Sequence, residues 1–309
     1  MVSYWIKLSL CNFDSASQWG VAECTEETAL QGKEWSALST DERKEYVAAV
    51  ECLMAKGSRY PTGEVPASNN YYSDFAAHHA ELALNVHMSG SFLSFHREFI
   101  NLMEQSLTLF DSSPSSLGGD GQPVPDQESY VISSAEAPMV SPILKEGDTI
   151  PSGSGIGCVV EGPFANTTLY LGPFLVYYTR TGLPEAWTEK NPHCFTRNLK
   201  DAALNFFDSA DLLNSLSAAQ NITDFQAQLN ARSAFFLHHG QIDRLWTLWQ
   251  AEDQTLRRYS YNSTDTFMNP PDIPGVTNST VIEFGVLGDK VTLEEMADPM
   301  AGRYCYRYV

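Results

Sequence analysis

The chain has 309 residues, 43% of them hydrophobic, with a formal charge of -19 and an isoelectric point near 4.6. Such acidity opposes binding to nucleic acid or an anionic membrane surface, and no run of 18 or more apolar residues is present to form a transmembrane helix. Nothing marks an interdomain linker, so the length reads as a single domain over 1–309 with one large core.

Residues 1 to 38 show little periodicity and are expected to wrap the surface. Met1 to Leu10 is too short and polar for a signal peptide. Yet acceptor sequons at Asn166, Asn221, Asn262 and Asn278, with cysteines at 11, 24, 52, 158, 194 and 305, suit an oxidising secretory route from which a leader has been removed; the alternative is that the sequons are chance matches. Six cysteines allow about fifteen pairings, and the sequence does not choose among them. Ser39-Thr40-Asp41-Glu42 has the form of a capping box, and Tyr46, Val47, Val50, Leu53 and Met54 then repeat at helical spacing, predicting a helix of roughly four turns that ends near Gly57. Tyr60 to Asn70 is rich in turn formers.

The next stretch, Asp74 to Phe110, holds four of the seven histidines. On one continuous helix His79 and His87 would stand about 12 Å apart, too far for one metal ion. Met88-Ser89-Gly90-Ser91 supplies a break. The prediction is a first helix carrying His79, a turn presenting His87, and a second helix from about Phe92. On that helix His96 lines up with Ile100, Met103 and Leu107 and faces inward. Taken singly, each histidine reads as a core or surface residue. As a triplet flanking a glycine turn they read as metal ligands, with one coordination position left for water or substrate.

From Asp111 to about Gly157 the chain is rich in Ser, Gly and Pro, either one wall of an active-site mouth or a surface loop. Leu169-Tyr170-Leu171 and Leu175-Val176-Tyr177-Tyr178 suit only minor strands. Residues 199 to 218 look helical, and Thr223-Asp224-Phe225-Gln226 caps a further short helix. In SAFFLHHGQIDRLWTLWQ, Phe235, His239, Ile242 and Trp246 share one stripe, so this helix is deeply packed. Asp243, one turn after His239, is placed to orient its imidazole; the other reading is a structural histidine against tryptophans.

DFAAHHAELALNVHMSGSFLSFHREF resembles the first copper-binding motif of the short fungal tyrosinases and catechol oxidases. The resemblance implies His79, His87 and His96 as ligands and His78 as a neighbour. FFLHHGQIDRLWTLWQ is similar to the end of the second copper motif, where His239 matches the ligand. GCVVEGPFANTTLYLGP, NPHCFTRNL and the closing CYRYV also look like family elements. The implied fold is mainly α, a central four-helix bundle with long irregular loops and minor strands, holding metal at its centre. The second motif departs from the pattern, since no histidine lies between Leu199 and Leu237, and His193 stands where the family has an arginine. One intact triad suits a single Zn²⁺, with Cu as the alternative. The likeness points to the cyclopenases, zinc lyases of alkaloid biosynthesis that convert a benzodiazepinedione epoxide to a quinolone. On that reading His239, oriented by Asp243, moves protons, with His238 as a second candidate; the rival is a dinuclear copper oxidase acting on phenols, drawing ligands from His193 and His238.

Overall fold

The computed structural model describes residues 3–4, 24–107, 121–122, 130–131, 134, 145–150, 157–172, 182–197, 219–223, 225, 235–261, 263–267 and 269–309. The capping box forms as the sequence predicts. The Ser39 hydroxyl accepts from the Glu42 N–H, the Glu42 carboxylate accepts from the Ser39 N–H, and helix α1 runs Thr40–Ala55. A second capping box, Asn70 with Ser73, starts α2 at Tyr71–Glu81. The chain then makes one turn of helix, α3 (Ala83–Val86), and leaves it at His87, whose backbone is extended. After the turn at Met88–Ser91, α4 spans Phe92–Ser106. Helix α5 covers Phe235–Ala251 and the short α6 Gln254–Arg257. The architecture is mainly helical with short strands, and no described helix is long and apolar enough to cross a membrane.

The chain divides into two compact units. The first comprises 1–115, 170–192 and 235–309 and contains all the helices named above. Here α1 packs on α2, and α4 on both α3 and α5. Its core is strongly aromatic: Phe75, Phe95, Phe99, Trp246 and Phe284 are each about fully buried, and each such side chain contributes on the order of 1.5–3 kcal/mol by leaving water. Strands β1 (Ser3–Tyr4), β2 (Leu30–Glu34) and β9 (Tyr306–Tyr308) form a sheet in the order β1-β2-β9, with β2 and β9 parallel and Leu30 opposite Tyr306. Cys24 and Cys305 are joined beside it, and Cys52 is also disulfide-bonded. The N-terminal region therefore contributes more than the surface wrapping expected of it, since Ala29 and Leu38 are buried and β2 is the middle strand. Its pairing partner lies at the other end of the chain, so no local pattern could announce it. Strands β7 (Val281–Ile282) and β8 (Val291–Thr292) pair antiparallel.

The second unit comprises 116–169 and 193–234. It holds β3 (Tyr130–Val131) paired with β4 (Thr149–Ile150), and β5 (Thr168–Leu169) paired with β6 (His193–Cys194). The strand expected at 169–171 is this short β5, shifted by one residue. Cys158 is bonded to Cys194, and Val159 donates to the Phe195 carbonyl. Gly121 must be glycine, because a Cβ there would run into the carbonyls of Gly157 and Arg197. The helix expected over 199–218 lies outside the described residues. At 222–225 Ile222 and Thr223 are already helical and Phe225 donates to the Asn221 carbonyl, so the helix begins ahead of the cap predicted at Thr223.

Candidate metal centre

Three imidazoles meet between α2, the α3 exit and the first turns of α4. His79 projects from the last turn of α2, His87 terminates α3, and His96 lies one turn into α4. One potential ligand atom from each lies within 4.8 Å of the other two, and the Nε2 atoms of His79 and His96 are 3.4 Å apart. Among the described residues this is the one group of histidine, cysteine and carboxylate side chains that converges so closely. The predicted helix, turn and second helix are all present. So is the inward stripe, with Ile100, Met103 and Leu107 buried below His96.

The backbone chooses the tautomers. His87 Nδ1 lies 2.9 Å from the Ala83 carbonyl and His96 Nδ1 lies 2.7 Å from the Phe92 carbonyl, each one turn earlier. A carbonyl can only accept, so Nδ1 carries the proton and the Nε2 lone pair is left to point outward from the helix. Burial, then the neighbouring His87 and His96, hold the His79 imidazole well below its ordinary range. Burial likewise lowers His87, partly offset by its bond to Ala83. His79 and His87 are thus kept neutral, the form that ligates. Four ligands about 2.0–2.1 Å from a tetrahedral ion sit about 3.4 Å apart, which is the His79–His96 spacing, so three neutral imidazoles fit a zinc or copper ion.

His239, on α5, is buried and stacks on His96 with ring centroids 4.0 Å apart and planes inclined by 16°. Phe92 lies against both His96 and His239. Two rings stacked this closely and out of water resist carrying charge together. The side chain of His238 lies outside the described residues. His78 is directed away from the group: its Nε2 is 3.2 Å from the Glu283 carbonyl and its Nδ1 3.5 Å from Glu81. His193 stands on β6 in the second unit, opposite Leu169.

Asp243 requires a correction, because the orienting bond to His239 drawn from their one-turn spacing is not the use its oxygens find. Oδ1 accepts from Arg97 Nε at 2.6 Å, and Oδ2 accepts from the hydroxyls of Tyr306 and Tyr308, both at 2.6 Å. Arg97 is fully buried. It also donates to the Met296 and Ala297 carbonyls, Thr247 and Gln250, and its guanidinium lies 3.8 Å from the Trp246 ring. Burial alone would lower the Arg97 pKa, and the Asp243 carboxylate outweighs it and raises it. Glu98, two residues after His96, is buried and accepts from Arg303, Tyr304 and Asn101. Reading for ligands passed over Arg97, Glu98 and the two tyrosines. The signals were present in the Phe-His-Arg-Glu run and in the aromatic C-terminal strand.

Comparison with known proteins matches this arrangement. Residues 69–234 and 232–252 fit the family profile described as the common central domain of tyrosinase. The chain is 32% identical to tyrosinase P of Aspergillus terreus, covering 89% of this chain and 90% of that protein. It is also 32% identical to the N-acetyl-6-hydroxytryptophan oxidase of Emericella nidulans, covering 93% and 94%. Among solved structures, a variant polyphenol oxidase from Thermothelomyces thermophila superposes with a TM-score of 0.78 at 26% identity, over 93% of this chain and 90% of that one. With the central-domain profile spanning both histidine-bearing helical stretches, and curated relatives matched nearly end to end, the chain belongs to the tyrosinase family.

Proposed function

We propose that this protein is a copper-dependent oxidase of secondary metabolism, acting on a small hydroxylated aromatic compound, with the ion held by His79, His87 and His96. The observation that carries the proposal is the convergence of three imidazoles, two of them tied through Nδ1 to backbone carbonyls and the third, His79, buried and held below its ordinary pKa. Such a donor set, with no thiolate or carboxylate, binds Cu²⁺ ahead of Zn²⁺ in the usual affinity order. Substrate class follows the relatives, which are named as a tyrosinase, an oxidase of a hydroxytryptophan derivative and a polyphenol oxidase.

Bound copper supplies redox chemistry toward dioxygen and phenols. The chain supplies the rest. Ala83 and Phe92 fix the orientation of two ligands, Phe92 and Phe95 pack against the His96 ring and shield it from water, and His239 offers a buried nitrogen beside His96 for a proton or a further ligand bond.

One feature of the sequence favours a second reading. No histidine lies between Leu199 and Leu237, where the family's second metal would draw ligands, and a lone three-imidazole site suits zinc as a Lewis acid. That reading is the cyclopenase-type zinc lyase, with His239 moving protons. Elemental analysis of protein purified without added metal, paired with oxygen uptake on catechol and 6-hydroxyindole, separates the two. Copper and oxygen consumption are expected, both lost in His96→Ala. One zinc per chain, no oxygen uptake, and turnover of a benzodiazepinedione epoxide would replace the first reading with the second.

A further inference from the structure

A cleft of about 300 Å³ opens on the outer side of the α2–α3 corner, lined by Ala80, Glu81, Ala83, Leu84, Leu183 and Trp187, with Gly182 at its edge. None of the three clustered imidazoles lines it. Gly182 has φ of +82°, and a Cβ there would touch Leu84 Cδ1 at 3.9 Å. This left-handed turn lies beside Leu84, and Leu183 and Trp187 share the cleft lining with it. The volume is at the lower end of small-ligand sites, which run about 300–1,000 Å³.

The chemistry of the lining is that of half an ion–aromatic contact. Elsewhere in this unit, three partly exposed rings carry one of the chain's own cations: Arg43 is 6.0 Å from Trp35, Lys190 is 5.7 Å from Tyr170, and Arg258 is 5.3 Å from Tyr259. Trp187 is half-buried and has no such cation among the described residues. The charged residue beside it in the cleft is Glu81. Its Oε2 accepts from the Tyr60 hydroxyl at 3.0 Å and lies 3.5 Å from His78 Nδ1, while Oε1 has no partner among the described residues. A carboxylate oxygen, an indole face and two leucines in one small cleft match a ligand with a cationic head and an apolar body.

We infer that this cleft is a second small-molecule site, separate from the metal centre, that takes a primary ammonium carrying an aromatic or alkyl tail. The ammonium pairs with Glu81 and lies on Trp187, and the tail packs on Leu84 and Leu183. The site adjoins Ala83, whose carbonyl holds His87, so its occupant reaches the metal centre through one residue.

Isothermal titration of the full chain with 2-phenylethylammonium, 2-phenylethanol and 3-phenylpropionate tests the assignment. Saturable one-to-one binding of the ammonium is expected, at least tenfold weaker for the alcohol and absent for the carboxylate. Glu81→Gln and Trp187→Ala should each weaken ammonium binding at least tenfold, Trp187→Phe less, and His87→Ala should leave it intact. Equal affinity for ammonium and alcohol would overturn the proposal. So would loss of binding in His87→Ala with none in Glu81→Gln, which would put the ligand at the metal centre. Tyr60→Phe keeps the carboxylate and removes its hydroxyl partner; a loss as large as that of Glu81→Gln would trace the effect to a disturbed helix end and also defeat the assignment. Because no readout depends on turnover, this test stands whether or not the oxidase reading holds.

Discussion

Arg97 follows His96 in sequence, and its charge has no route to water. Five protein groups besides the Trp246 ring meet the guanidinium, and Asp243 alone among them returns a negative charge. Removing one partner of such a buried pair leaves the other uncompensated, at a cost of about 3–5 kcal/mol. Asp243→Ala should therefore destabilise the protein by about that amount in urea denaturation, and Asp243→Asn by less, since it can still meet Tyr306 and Tyr308. A loss under about 1 kcal/mol in Asp243→Ala would mean that water or another carboxylate reaches Arg97. Spacing within α5 pointed Asp243 at His239, its neighbour one turn back. A buried cation on another helix is the stronger claimant, and its approach is set by tertiary packing that no local pattern encodes.

At the scale of single elements, much was readable. Helix α1 was visible because a capping box and an apolar repeat agreed, and the α2–α4 hairpin because Gly90 interrupts two helical patterns that each carry histidine. The convergence of the three histidines followed from that geometry, since only a break after His87 lets three imidazoles share one centre. Strand β9 was not readable. Its partner β2 lies more than 270 residues away, and three residues carry too little periodicity to declare a strand. The cap of α1 offers a measurable consequence. Ser39→Ala should cost about 0.5–2 kcal/mol. Glu42, bonded by Lys33 and by the Ser39 N–H, is held at about 2 against an ordinary 4.5. A carboxyl lowered on folding adds stability that is complete above its unfolded value and is lost as pH falls through the folded one. The contribution of Glu42 should thus fade between about pH 4.5 and pH 2. Comparing urea midpoints of Glu42→Gln and the parent protein from pH 6 to pH 2.5 checks this: the gap should narrow as the medium becomes acid, and a constant gap would exclude it.

For the molecule as a whole, the first unit is closed by a covalent link between residues 281 apart, Cys24 and Cys305. Cys305 sits between Tyr304, which donates to Glu98, and Tyr306, which donates to Asp243. The link thus holds the strand that satisfies two buried carboxylates, Glu98 on α4 and Asp243 on α5. Cross-links of this kind contribute about 2–5 kcal/mol, chiefly by restricting the unfolded chain. Cys24→Ser with Cys305→Ser should lower stability by that much under oxidising conditions. Under strong reduction the difference from the parent should nearly vanish, and a difference that persists would locate the effect in packing instead. Bonds like these persist in oxidising compartments, in keeping with the sequons at Asn166 and Asn278.

The three-stranded sheet also dictates a timetable for biogenesis. During translation α4 leaves the ribosome with Arg97 and Glu98 already in place, some two hundred residues before Arg303, Tyr304, Tyr306 and Tyr308 are polymerised. Arg97 can meet its own partners once Asp243 to Ala297 are made, but until Arg303 and Tyr304 arrive the Glu98 carboxylate must remain hydrated and the hairpin cannot settle into its final burial. Nascent chains arrested at residue 302 should accordingly stay protease-sensitive across residues 92–106, whereas chains extended past residue 309 by a tether should resist.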